Sequence, residues 1–126
     1  MPVWQEAEGG KVLNQGNAIL RLLGRKHGYY FDDNMDEAFN VDWALETHAD
    51  FWVTKTYQMW LFGESDQTKI AEGANKFDAF NKQIEAHLAS VNTRFIASDR
   101  LTIADFVVFS LYMSLVKNDA TGFPEG

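Results

Sequence analysis

Apolar residues recur at helical spacing through most of this chain and at strand-like spacing only near its start. Met1 to Trp4 reads as extended, with Pro2 arguing against helix. Lys11-Val12-Leu13 reads as a second short strand, and Glu8-Gly9-Gly10-Lys11 as the turn between them. A Gly-Gly loop between short apolar runs predicts a β-hairpin. The polar, turn-prone Asn14-Gln15-Gly16-Asn17 then leads into Ala18, Ile19, Leu22 and Leu23 at helical spacing, with Gly28 as C-cap. Arg21, Arg25 and Lys26 take the other side, read as a solvated face rather than an anion site, and the basic last turn suits the negative end of the helix dipole. Tyr29 to Asn34 is a linker.

Three further helices follow. Phe39, Val41, Ala44, Leu45, Phe51, Trp52 and Met59 form a broad stripe along a helix from about Met35 to Leu61. After a polar turn at Gly63 to Thr68, Lys69 to Val91 carries Ile70, Ala74, Phe77, Ile84, Leu88 and Val91 on one face, joined by Phe80. Asn92 to Arg100 is a loop whose Phe95 and Ile96 are expected to enter the core. In Leu101-Thr102-Ile103-Ala104-Asp105-Phe106, Thr102 is the predicted N-cap. Its hydroxyl accepts from the Asp105 N–H, and the Asp105 carboxylate reaches back to the Thr102 N–H, a capping box with Leu101 and Phe106 at staple spacing. The helix behind it, Ile103 to about Val116, is apolar on nearly every face and is predicted to be buried all round. Two long antiparallel helices around a buried third make an all-α bundle. The opening hairpin and single helix are not a stable unit alone. They read as the last part of a larger sheet.

Charge and composition narrow the picture. The net charge of −7, from 18 acids against 11 bases, disfavours a nucleic-acid partner. With no cysteine there is no disulfide frame, thiolate nucleophile or Cys-containing zinc site, which fits the cytoplasm. The longest apolar run, Phe106 to Val116, is too short and too interrupted for a membrane span, and no signal or transit peptide is visible at the N-terminus. His27, His48 and His87 sit in no ligand motif, so no metal is expected. Asp32, Asp33, Asp36 and Glu37 read as a negative helix start. Trp43, Trp52, Tyr57 and Trp60 read mostly as core.

Four stretches, in order, resemble the glutathione transferase superfamily. Met1-Pro2-Val3-Trp4 resembles the region of the family's cis-proline. Leu13-Asn14-Gln15-Gly16-Asn17-Ala18-Ile19-Leu20 is similar to its L-x-Q-S-x-A-I-L segment, and Arg25-Lys26-His27-Gly28 to the end of its third helix. Phe95 to Asp105 resembles the F-L-x-G-D-x-L-T-x-A-D stretch that opens the buried helix of its C-terminal domain. The resemblance implies a mainly α fold. Residues 1–28 would be a partial thioredoxin-like, glutathione-binding domain, 29–34 a linker and 35–126 an incomplete all-helical domain. It also implies glutathione as co-substrate, a small electrophile as second substrate, thiolate attack as the chemistry, and a homodimer or assembly partner.

The same resemblance implies site residues. Met1 and Pro2 would pair their backbone with the cysteinyl part of glutathione, as an added strand does. Gln15 and Gly16 would meet the γ-glutamyl group at a helix N-terminus. Gly16 departs from the family's Ser or Thr and loses one hydroxyl, which Asn17 replaces at most in part. Thr102 and Asp105 are structural, and some of Trp43, Trp52, Tyr57 and Trp60 would line an electrophile pocket or a dimer contact, since the family uses this helix for both. No catalytic residue lies in this chain: the activating Tyr, Ser or Cys is expected before Met1, with the missing first strand. Three readings of the incompleteness stay open: an incomplete family chain, a shortened gene product, or a subunit in which catalysis no longer matters. The rival function is a non-catalytic dimerisation or scaffold module. A third possibility, an unrelated helical bundle, would lack both hairpin and cis-proline.

Overall fold

The computed structural model describes residues 3–54 and 65–115. In chain order it holds strands β1 (Val3–Gln5) and β2 (Val12–Asn14), then helices α1 (Gly16–His27), α2 (Met35–Val53), α3 (Gln67–Val91) and α4 (Ile103–Leu115). The two strands pair antiparallel, with Val3 opposite Asn14 and Trp4 opposite Leu13. Gly9, at φ +75°, makes the left-handed step of the turn, and Gln5 Nε2 closes it on the Gly10 carbonyl at 2.7 Å.

Helix boundaries follow local chemistry. α1 ends at Gly28, at φ 76°, whose N–H reaches the Gly24 carbonyl. Asn34 caps α2, its side chain accepting from the N–H groups of Asp36 and Glu37. Asp66 caps α3 through Thr68 and Lys69, so this helix starts two residues before the predicted Lys69. Asn92 ends it in the left-handed conformation. The expected run of α2 to Leu61, with Met59, Tyr57 and Trp60, lies outside the described residues beyond Thr54, as does Val116.

The core gathers where α4 crosses α2. Ala44, Leu45, Thr102, Ala104, Leu111 and Leu115 are fully enclosed, and Phe51 meets Phe77 and Phe80 of α3 at ring distances of 5.8 and 5.2 Å. Trp43 stacks on His87 at 4.0 Å, and His87 Nε2 donates to the Ile96 carbonyl at 3.0 Å, tying the 92–100 loop to α3. Ile96 is buried as predicted, and Phe95 is half-buried. Phe39, expected on the buried stripe of α2, is 67% exposed.

Two expectations about α4 are corrected. The first is the direction of the Thr102 hydroxyl. The Asp105 carboxylate does reach back to the Thr102 N–H, at 2.9 Å. However, the hydroxyl donates to that same carboxylate at 3.1 Å, and the Asp105 N–H goes to the Thr102 carbonyl at 3.2 Å. The other carboxylate oxygen takes the Ile96 N–H at 3.0 Å. An anion is the stronger acceptor, so it captures the hydroxyl proton as well as two backbone donors. The second correction is burial. Phe106, Phe109 and Met113 leave one apolar face of α4 exposed, and Phe106 sets its ring edge-on to Tyr29 at 5.2 Å.

α1 is packed onto this bundle. A Cβ on Gly24 would stand 2.9 Å from Ile103 Cγ2 and 3.1 Å from Tyr30 Cβ, so only glycine permits the approach. The Ile103 N–H donates to the Tyr29 carbonyl at 3.0 Å. The basic residues of α1 are ion-paired: Arg21 to Asp42 and Glu46, each at 2.7 Å, Arg25 to Asp32 at 2.8 Å, and Lys26 to Glu6. They form neither an anion site nor a freely solvated face.

Asp105→Ala strands two backbone donors and the enclosed Thr102 hydroxyl. Hydrogen bonds to charged groups are worth about 1.5–3 kcal/mol each, so a loss of about 3–5 kcal/mol in urea-unfolding stability is expected. Thr102→Val removes one donor and keeps the shape, at about 1 kcal/mol or less. Equal costs for the two substitutions would contradict the carboxylate-centred arrangement.

Candidate functional site

Among the described residues, Gln15 at the junction between β2 and α1 and Asn92 at the end of α3 are the non-glycine residues with positive φ. Gln15 sits at φ 74°, ψ 100°, outside the regions open to side-chain-bearing residues. Its carbonyl accepts the Ile19 N–H at 3.0 Å and so starts α1. No side chain caps this helix, and no acid lies in its first turn. Gly16 contributes no side chain, and Asn17 turns its amide towards the Leu45 carbonyl at 3.4 Å. Among the described residues no side-chain cap meets the first-turn N–H groups at the positive end of the helix dipole.

That helix end opens into a cavity of about 870 Å³ between α1 and α2. Gln15, Gly16 and Ala18 form one wall, and His48, Ala49, Trp52 and Val53 form the other. Arg21 and Glu46, paired at 2.7 Å, also line it. Gln15 and Gly16, neighbours in sequence, both line this cleft. Met1 and Pro2, the other two expected contacts, lie outside the described residues. Val3, which follows Pro2, is paired with Asn14, which precedes Gln15. Thr102 and Asp105 lie at the start of α4 and line no part of this cavity.

On the α2 side the sequence reads Trp52 mostly as core, with an electrophile pocket or a dimer contact as the alternative the family resemblance implies, and it does not single out His48 for this cleft. His48 and Trp52 are four residues apart on one helical face, and the Trp52 indole N–H donates to His48 Nε2. The i, i+4 spacing was the available signal. Burial pushes the His48 imidazole down from 6.5 to about 4, so it is neutral at physiological pH. The cleft therefore sets an uncapped helix start beside a largely apolar wall that carries one neutral imidazole.

The comparisons with known proteins point one way. The family model described as "Glutathione S-transferase, C-terminal domain" matches residues 46–125. A glutathione S-transferase of Plasmodium yoelii yoelii is 29% identical over 108 residues, covering 82% of this chain and 47% of that protein. The crystal structure of a diazinon-metabolizing glutathione S-transferase from the silkworm Bombyx mori superposes with a TM-score of 0.71 at 23% identity. That match covers 92% of this chain and 55% of the silkworm chain. The chain spans about half the length of these relatives.

His48 generates a pH prediction. Its folded pKa lies below its unfolded one, so the unfolded chain binds the extra proton first. This contribution to stability is complete above pH 6.5, is lost as pH falls from 6.5 towards 4, and changes no further below that. The slope reaches at most about 1.4 kcal/mol per pH unit. Urea midpoints of the native protein should fall more steeply than those of His48→Phe across this window; parallel curves would refute the assignment.

Proposed function

This chain belongs to the glutathione S-transferase superfamily, and from that premise we propose that it binds glutathione at the α1 end of the cleft and serves its conjugation to a small electrophile. The observation that carries this reading is Gln15. Its strained backbone, at φ 74°, directs the uncapped end of α1 into a cavity of about 870 Å³. Strain of this kind costs about 1–3 kcal/mol and is retained where it prepares a ligand site. In the proposed complex the γ-glutamyl carboxylate takes the free N–H groups at Gly16, and the Gln15 side chain orients that end of the peptide. Met1 and Pro2 are assigned to the cysteinyl backbone. The thiolate sulfur then attacks the electrophilic carbon, a C–S bond forms, and the leaving group departs with its bonding pair. No residue of the described cavity wall is assigned to activating the thiol.

The same reading gives residues 1–28 to a glutathione-binding unit and 35–126 to the helical one. It places the protein in the cytoplasm as a homodimer. Among the described residues no helix is long and apolar enough to cross a membrane.

Calorimetric titration with glutathione tests the proposal. Gln15→Gly should stabilise the fold by about 0.5–2 kcal/mol, since strain is relieved against a smaller glycine entropy cost, while weakening glutathione binding. Gly16→Ser should tighten binding about fivefold, the worth of one added hydrogen bond of about 1 kcal/mol. Absence of binding heat, together with clean flow-through on immobilised glutathione, would leave the non-catalytic module as the correct reading.

A further inference from the structure

We propose that the groove between α2 and α3 is a separate ligand site, which takes a small planar aromatic amine with its ring at Trp43 and its ammonium at Asp50. This groove shares no lining residue with the cleft between α1 and α2. It is built from one face of each helix. Trp43, Thr47 and Asp50 follow one another at the four- and three-residue steps of a single face of α2, and Gln83, His87 and Ser90 do the same on α3. Together they bound a cavity of about 550 Å³. A smaller cavity of about 200 Å³, lined by Thr54 and Lys76, continues from Asp50.

The lining defines the ligand class. Trp43 lies flat against the His87 imidazole, with 4.0 Å between ring centres and 13° between planes. The His87 ring is itself held, because its Nε2–H donates to the Ile96 carbonyl at 3.0 Å. The aromatic pair is therefore set before any ligand arrives. Ala86 and Ser90 beside it are small and leave space for a flat ring. Burial lowers the His87 pKa below its ordinary value, so the imidazole is neutral at pH 7. Asp50 is then the only charged side chain in the lining of the larger cavity. Among the described residues neither Asp50 nor Thr47 nor Gln83 has a side-chain hydrogen-bond or ion-pair partner. Two helical turns put Asp50 about 10 Å along the axis from Trp43. A ring at Trp43 with a two-carbon ammonium arm spans that distance, and Thr47 and Gln83 between them can accept from a ring N–H or O–H. An anion would meet the Asp50 carboxylate with like charge, and an uncharged arene would gain nothing from it.

The site owes nothing to the proposed glutathione reaction, and its test keeps the two apart. The Trp43 indole N–H signal, identified by its loss in Trp43→Phe, is followed by NMR at pH 7. Titration with tryptamine should move it. Indole-3-propionate, which puts a carboxylate in place of the ammonium, and 2-cyclohexylethylamine, which has no aromatic ring, should each bind about 5-fold more weakly or worse. Asp50→Asn should weaken tryptamine binding about 2–5-fold, the worth of one exposed ion pair, and leave the urea midpoint unchanged because Asp50 holds no other residue in place. Saturating glutathione should leave the tryptamine response intact. Equal responses to tryptamine and indole-3-propionate, no response to any probe, an undiminished response in Asp50→Asn, or displacement by glutathione overturns the proposal. A dimer in sedimentation that Asp50→Lys splits, with no tryptamine response, overturns it as well and gives the groove to a second copy of the chain.

Discussion

One carboxylate decides how this fold is assembled. Asp105 collects the Thr102 N–H, the Thr102 hydroxyl and the Ile96 N–H within 3.1 Å. Two of these donors belong to Thr102, at the start of α4, and the third to Ile96, in the loop nine positions before Asp105. The carboxylate therefore nucleates α4 and closes the loop before it in one step. Asn40 donates to the Ala97 carbonyl at 3.2 Å and fastens the same loop to α2. Ser98, itself buried, exchanges hydrogen bonds with the Arg100 backbone. Buried polar groups in an otherwise apolar core tolerate no half-measures. The apolar packing of α4 on α2 depends on this polar knot for its angle of entry.

From that fixed start the influence runs outwards to the cleft. Ile103, the first residue of α4, meets Gly24 in the middle of α1 and hydrogen-bonds the linker at Tyr29. Arg21, three residues before Gly24, binds Asp42 and Glu46 of α2. α1 is thus held by α4 through shape and by α2 through charge. Its N-terminal end is left to project into the cavity with its N–H groups uncapped. The strained Gln15 is tolerable because both ends of the turn are anchored: β2 is paired to β1, and α1 is clamped in the bundle.

Much of this was legible in the residues, and the rest was hidden for identifiable reasons. Gly28, the face of α3 and the start of α4 announce themselves through residue types with few alternative uses. The capping-box spacing places Asp105 at the correct backbone position but does not say where a hydroxyl proton points, because that depends on the Ile96 loop arriving at the same carboxylate. An apolar pattern shows what a helix would bury, not what covers it; hence Phe39, Phe109 and Met113 were expected inside and are exposed. The conformation of Gln15 could not be read from glutamine, which has no preference for positive φ; tertiary anchoring imposes it. The His48–Trp52 pair has a spacing signal, but a tryptophan on a long helix reads first as core, and its face towards a pocket or a partner is fixed only by the packing.

The contact at Gly24 has a mechanical consequence. Side chains usually leave two crossing helices some slack, because rotamers can yield when one element shifts. Here the α1 backbone lies against the Ile103 side chain with no room for even one methyl group between them, so α1 cannot close further on α4 unless Ile103 gives way.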